Sequence, residues 1–117
     1  MEKVENATIP KIEIICNSLE FEYLADAVGY GIEEEGLPYH ISVGESANLD
    51  AYEHSQSSGL GVAVGVEERT IAVYCRQLKE EKPLFEYTVT EPEMAKTIGK
   101  NAARIIKNKP FIDMEDQ

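Results

Sequence analysis

The sequence predicts a three-layer α/β/α domain built on a mixed, mostly parallel five-stranded sheet with one strand antiparallel. Three observations lead there. Segments follow the order strand, helix, strand, helix, strand, strand, strand, helix, which lays helices on the faces of a sheet. The run Leu60-Gly61-Val62-Ala63-Val64-Gly65-Val66 is apolar throughout, as suits a strand covered on both faces. Only Glu67-Glu68-Arg69 separates it from Thr70–Cys75, enough for a hairpin and too short for a parallel crossover, so those two strands must run antiparallel.

In chain order, residues 1–10 read as a polar, mobile lead-in, 11–113 as a single domain and 114–117 as a tail. Lys11–Cys16 is the first strand. Asn17 or Ser18 can cap the next helix, and Glu20, three residues after Asn17, completes a capping-box pattern. Phe21, Leu24, Ala25, Val28 and Ile32 then keep the three-or-four spacing of a buried face as far as Glu35. Gly29 and Gly31 each cost about 1 kcal/mol relative to alanine in a helix interior. They are therefore expected where a sheet approaches the helix backbone. Tyr39–Val43 is a second strand, Ala47–Ser57 a short polar helix and Leu84–Val89 the fifth strand. The last helix runs from Pro92 or Glu93 to Lys107, with Met94, Ile98, Ala102 and Ile105 as its buried stripe and Lys96, Lys100, Arg104 and Lys107 on the opposite, solvent-facing side.

At 117 residues and 43% hydrophobic content, one core can form without a disulfide or structural metal. Cys16 and Cys75 each follow an apolar run and belong to no Cys/His cluster, so both are expected as buried thiols. A net charge of −11 argues against nucleic acid as a partner, since it leaves no basic surface to meet phosphates. No apolar run approaches the roughly 20 residues a bilayer demands, and Met1–Pro10 carries no export signal, so the expected compartment is the cytosol.

Catalytic motifs are missing. Gly59-x-Gly61-x-x-x-Gly65 lies within a strand rather than between a strand and a helix, and no G-x-x-x-x-G-K-[ST] occurs. His40 and His54 have no matching ligand pair. Ser55, Ser57 and Ser58 lack the strained elbow of a nucleophile. A binding or accessory subunit is the simplest reading.

The most informative segment is Gly31-Ile32-Glu33-Glu34-Glu35-Gly36-Leu37-Pro38, which puts three carboxylates where a helix ends. That end carries partial negative charge, so each exposed acid there costs roughly 0.3–1 kcal/mol. A cation or a partner would relieve it; a solvated acidic turn stopped by Gly36 and Pro38 is the plain alternative. At ~100° per residue, Glu33 and Glu34 project away from the core and Glu35 lies near its margin. One carboxylate is a poor site for a hard dication, so a metal held here would be shared with another chain. The basic face of the last helix is in turn either solvated or a means of steering an acidic partner.

The acidic turn, the strand before Glu67-Glu68-Arg69, Pro83-Leu84-Phe85, Gly99-Lys100-Asn101-Ala102-Ala103-Arg104 and Lys109-Pro110-Phe111 together resemble the small subunit of diol or glycerol dehydratase-reactivating factors, from about Ile12 to Asp113. The medium subunit of the adenosylcobalamin-dependent dehydratases is similar but considerably longer. The resemblance implies a mixed five-stranded sheet with one antiparallel strand. It also implies a noncatalytic partner of a large, chaperone-like ATPase subunit, in a heterotetramer of two large and two small chains. The complex would free damaged cobalamin from inactivated dehydratase, this chain leaving its partner so that the dehydratase medium subunit takes its place. The middle glutamate of the family's turn is similar to a ligand for a divalent cation, Mg²⁺ or another, shared with the ATPase subunit, and that position is Glu34 here. Glu33, Glu34, Glu35, Lys100 and Arg104 are the expected partner-binding residues; no cofactor is expected on this chain alone. Cytosolic location, with association to a bacterial microcompartment, goes with the resemblance. Two alternatives are a structural medium-type subunit of a dehydratase and a stand-alone small-molecule-binding α/β domain.

Overall fold

A computed structural model describes residues 9–57 and 59–114. Of the predicted lead-in only Ile9 and Pro10, and of the tail only Met114, fall within them. Five strands, β1 (Ile12–Cys16), β2 (Tyr39–Val43), β3 (Val62–Glu67), β4 (Thr70–Cys75) and β5 (Phe85–Thr88), lie side by side in the order β2-β1-β3-β4-β5. β1 pairs in parallel with β2 and β3, and β4 runs antiparallel to both β3 and β5. One strand therefore opposes the other four, as the sequence predicts.

Alternation along the strands sorts side chains into two cores. Ile12, Ile14 and Cys16 of β1, Val62, Val64 and Val66 of β3, and Ile71, Val73 and Cys75 of β4 face one way. They pack beneath two helices, α1 (Glu22–Glu34) and α3 (Pro92–Lys107). Ile15, Ala63, Ala72 and Tyr74 face the other way and meet α2 (Ala47–Ser57) through Ala47 and Ala51. Four residues of this second core, Ala47, Ala51, Ala63 and Ala72, are small and α2 lies close: a Cβ on Gly65 would stand 2.2 Å from the Asn48 side chain. Cys16 and Cys75 are buried and free, as predicted. Among the described residues no helix is long and apolar enough to cross a membrane.

Several local expectations change. Ser18 caps a 3-10 turn, Leu19–Phe21, by accepting from the Glu20 amide, while the Asn17 side chain instead accepts from the Glu68 amide across the sheet top. β3 extends to Glu67, which leaves a two-residue hairpin at Glu68-Arg69 with Glu68 in the left-handed region (φ 57°). In α3, Ile98 and Ala102 are fully buried but Met94 and Ile105 only partly, and Ala95, Gly99, Asn101 and Ala103 join the buried face. That face is wider than one stripe because α3 meets both the sheet and α1.

The two helix glycines divide their roles. Gly29 lies against the Tyr39 ring of β2, the helix-on-sheet contact expected of both. Gly31 instead faces α3: a Cβ there would stand 2.0 Å from the Lys96 carbonyl oxygen, and one on Gly99 would stand 2.0 Å from the Val28 carbonyl oxygen. The helices cross backbone to backbone at reciprocal glycines. Gly31→Ala or Gly99→Ala forces the helices apart and should destabilise the chain by roughly 1–3 kcal/mol, as overpacking does. Urea unfolding should show a lowered midpoint at unchanged slope.

Candidate functional site

The crossing brings the acidic end of α1 onto the basic side of α3. α1 stops in a left-handed turn at Gly36 (φ 87°), whose amide donates to Glu33 O at 2.9 Å while the Leu37 amide donates to Ile32 O at 3.3 Å. α3 ends the same way at Asn108 (φ 58°), with the Asn108 amide donating to Ile105 O at 3.3 Å and the Lys109 amide to Arg104 O at 3.0 Å. Each stop satisfies end carbonyls that the helix leaves open. The second also folds Lys109 back beside Arg104 and Lys107.

The three glutamates meet different fates. Glu33 is exposed. Glu34, with its side chain 46% exposed, is bridged by two ammonium groups: Lys96 Nζ at 2.7 Å from Oε2 and Lys100 Nζ at 3.2 Å from Oε1. Glu35 is buried, its side chain 8% exposed; its Oε2 accepts from Arg104 Nε at 3.0 Å and Nη2 at 2.9 Å, and its Oε1 from Lys109 Nζ at 3.2 Å. Lys107 donates to the Glu35 backbone carbonyl. The chain thus supplies its own cations to the unfavourable helix end.

This corrects two expectations. Glu35 is inside the helix junction rather than at its margin, and Lys96, Lys100 and Arg104 face α1 rather than open solvent. The glycine crossing is the reason: with the backbones touching, the i, i+4, i+8 ladder of α3 runs directly over the end of α1. In the sequence Lys96 reads only as surface charge and Lys109 only as part of the motif after the last helix, with no partner for either. An acidic run in one helix and a basic ladder in another were the available signal for pairing them.

The carboxyl of Glu34 is held below its ordinary range by hydrogen bonding to Lys96 and then Lys100, and Lys96 is correspondingly raised by Glu34. For Glu35, burial pushes the pKa up, but the bonds from Arg104 and Lys109 outweigh it and the net shift is downward.

Each residue of Gly99-Lys100-Asn101-Ala102-Ala103-Arg104 has a place in this junction. Gly99 admits the α1 backbone, Lys100 binds Glu34, and Ala102 and Ala103 are buried without bulk. Arg104 binds Glu35 and donates from Nη1 to Pro110 O at 3.0 Å. Asn101, buried, donates from Nδ2 to Ile112 O at 2.9 Å and accepts from the Ile112 amide at 2.7 Å, pairing with the backbone as a strand would. It ties down the segment after α3, where Phe111 packs edge-on against Phe85 of β5 with ring centres 5.5 Å apart.

Among the described residues no group of three or more His, Cys, Asp or Glu could hold a metal ion. Glu34 offers hard oxygen of the right kind, but as a single carboxylate, and a dication of this class takes six or more oxygens. It fits one ligand of a shell completed from outside the chain.

Residues 9–112 match the family model described as dehydratase medium subunit. The chain belongs to that family. It is similar to the propanediol dehydratase-reactivating factor small subunit of Citrobacter freundii, 33% identical over 109 residues, 91% of this chain and 93% of that one. It is equally similar, 33% over 120 aligned positions, to the diol dehydratase-reactivating factor small subunit of Klebsiella michiganensis, covering 96% of this chain and 91% of the other. A solved diol dehydratase-reactivating factor complexed with ADP and Mg²⁺ superposes with a TM-score of 0.78 at 28% identity, covering 90% of this chain and 99% of the matched chain. A glycerol dehydratase reactivase shares the fold, with a TM-score of 0.79 at 22% identity, over 90% of this chain and 98% of the other.

Removing the charge of Glu35 leaves Arg104 and Lys109 around a neutral group, so Glu35→Gln should cost on the order of 3 kcal/mol at neutral pH. Because the folded pKa is depressed, the stabilisation is full above the unfolded value of about 4.3 and is lost as pH falls through the lower folded value. Melting temperature measured from pH 7 down to pH 3 should therefore fall more steeply in the parent than in the Gln variant, the two curves converging in acid.

Proposed function

We propose that this chain is the small, noncatalytic subunit of a dehydratase-reactivating factor. It pairs with a large, chaperone-like ATPase subunit, two of each, and ATP hydrolysis belongs to that partner. The factor releases damaged cobalamin from an adenosylcobalamin-dependent diol or glycerol dehydratase, this chain leaving the large subunit while the dehydratase medium subunit takes its place. It works in the cytosol, in association with a bacterial microcompartment. The observation that carries the reading is the 33% identity to reactivating-factor small subunits across at least 91% of the chain and of those relatives.

Glu34 is proposed as this chain's ligand to a divalent cation at the subunit interface, with Glu33, Glu35, Lys100 and Arg104 around it. Glu34 would be this chain's ligand to a bound Mg²⁺, which would supply a compact double positive charge at the interface. What the chain itself does is hold Glu34 in place. Each of its oxygens meets one ammonium group, so a cation approaching Glu34 competes with Lys96 and Lys100. Two ammonium groups carry the same charge as one dication, so the lysines act as a stand-in for it beside Glu34 in the free subunit. Arg104, by contrast, serves the fold: it sits in the buried Glu35 cluster and reaches Pro110.

A dehydratase subunit proper is the second reading, favoured by the description of the family model. Copurification separates the two, since a reactivating factor brings an ATPase and a dehydratase brings its own large subunit.

Glu34→Gln should leave the fold intact, because its pairs are partly solvated and such pairs contribute little to stability. It should weaken assembly with the large subunit and reduce the dependence on Mg²⁺ in titration calorimetry; parent affinity and parent Mg²⁺ dependence would exclude the metal role. Replacing both Lys96 and Lys100 by Met removes the competing cations, so half-maximal assembly should require less Mg²⁺ than in the parent. An unchanged or higher requirement would mean that the lysines do not restrain Glu34.

A further inference from the structure

One flank of α1 takes no part in the junction with α3. Tyr23, Asp26, Tyr30 and Glu33 follow one another at helical spacing along it. Tyr23 is 44% and Tyr30 53% exposed, and Glu33 is exposed as well. α1 packs on β1 and β2, and β2 is the outermost strand, so this flank overhangs the edge of the sheet. Beneath it lies Tyr39, whose hydroxyl is pushed up in pKa by burial and then by Glu33, Tyr30 and Asp26 around it.

The flank is also uncompensated in charge. Between Lys11 and Arg69 the sequence holds 12 acidic residues and no lysine or arginine. Glu34 and Glu35 take their cations from α3 and Glu13 meets His40, but among the described residues Asp26 and Glu33 form no ion pair. Exposed tyrosine rings beside unpaired carboxylates suit a guanidinium or ammonium group, which can lie over the ring and meet the anion at its rim. Partly exposed tyrosines are moreover the kind of residue that anchors interfaces. A second copy of this chain is a poor occupant, since each carries a net charge of −11 and would present the same anions to its twin.

We propose that this flank docks an arginine- or lysine-bearing surface of the reactivating factor's large subunit, with Tyr23 and Tyr30 as anchors and Asp26 and Glu33 as the anions that meet its cations. The proposal rests on the function given above and extends it. Glu34 lies one helical turn beyond Tyr30, so the docking flank and the proposed metal ligand form one continuous strip of α1.

Titration calorimetry of the full chain against the purified large subunit, at low and high salt, tests the proposal. The paired substitution Tyr23→Ser with Tyr30→Ser should weaken binding about tenfold or more, as loss of interface anchors does, while circular dichroism melting stays near that of the parent. Asp26→Lys with Glu33→Lys should weaken binding at low salt and remove most of the parent's salt dependence. If both variants bind with the parent's affinity and salt response, the docking flank is wrong and the subunit assignment stands. If the parent itself does not bind the large subunit, the assignment fails and takes this occupant with it. Sedimentation showing a parent dimer that Tyr30→Ser dissolves would give the flank to a second copy and overturn the proposal.

Discussion

The Lys96 carbonyl stands where a side chain at Gly31 would begin, and the Val28 carbonyl stands where one at Gly99 would begin. That reciprocal contact sets the distance and angle between α1 and α3, and the charged arrangement follows from it. At an ordinary helix separation of about 8–10 Å, side chains would occupy the gap. Here the gap is closed, and the short reach from α3 and its exit to the end of α1 lets four lysines and an arginine converge on two neighbouring glutamates. Glycine in a helix is a local loss of stability; at this crossing it is the condition for a tertiary gain.

Electrostatics explains why the acidic turn persists in a free subunit. Arg104 and Lys107 sit in the last turn of α3, where positive charge suits the helix dipole, and they also cancel Glu35 at the end of α1, where negative charge does not. One set of cations therefore answers two helix ends. Glu34 and Glu35 are adjacent in sequence yet differ in kind. Glu35 is enclosed and belongs to the fold, whereas Glu34 stays half in water with partners that can be exchanged.

Much of this fold was legible in the sequence. The apolar run before Glu67-Glu68-Arg69 and the brevity of that link fix one antiparallel pair, and the spacing of Leu24, Val28 and Ile32 fixes the buried side of α1. The site was legible only in part. Helical phase found Glu34 outside the core, but periodicity treats each helix against the sheet and is blind to a second helix alongside. For that reason periodicity alone gives Gly31 to the sheet and the α3 ladder to solvent. Nothing in spacing marks Asn101 as a backbone mimic either, since its partner Ile112 lies beyond the helix in a segment without regular structure.

Arg104 grips the buried Glu35 with one edge of its guanidinium and the Pro110 carbonyl with another, while Asn101 holds Ile112 one turn earlier on the same helix. The acidic turn and the segment trailing α3 thus hang from a common anchor although 69 residues separate Glu35 from Arg104. Releasing Arg104 removes hydrogen bonds from both, so the two are expected to open as a single unit of local unfolding and to exchange amide protons together. Through Arg104 the turn is joined to the segment that carries Phe111 onto the far edge strand.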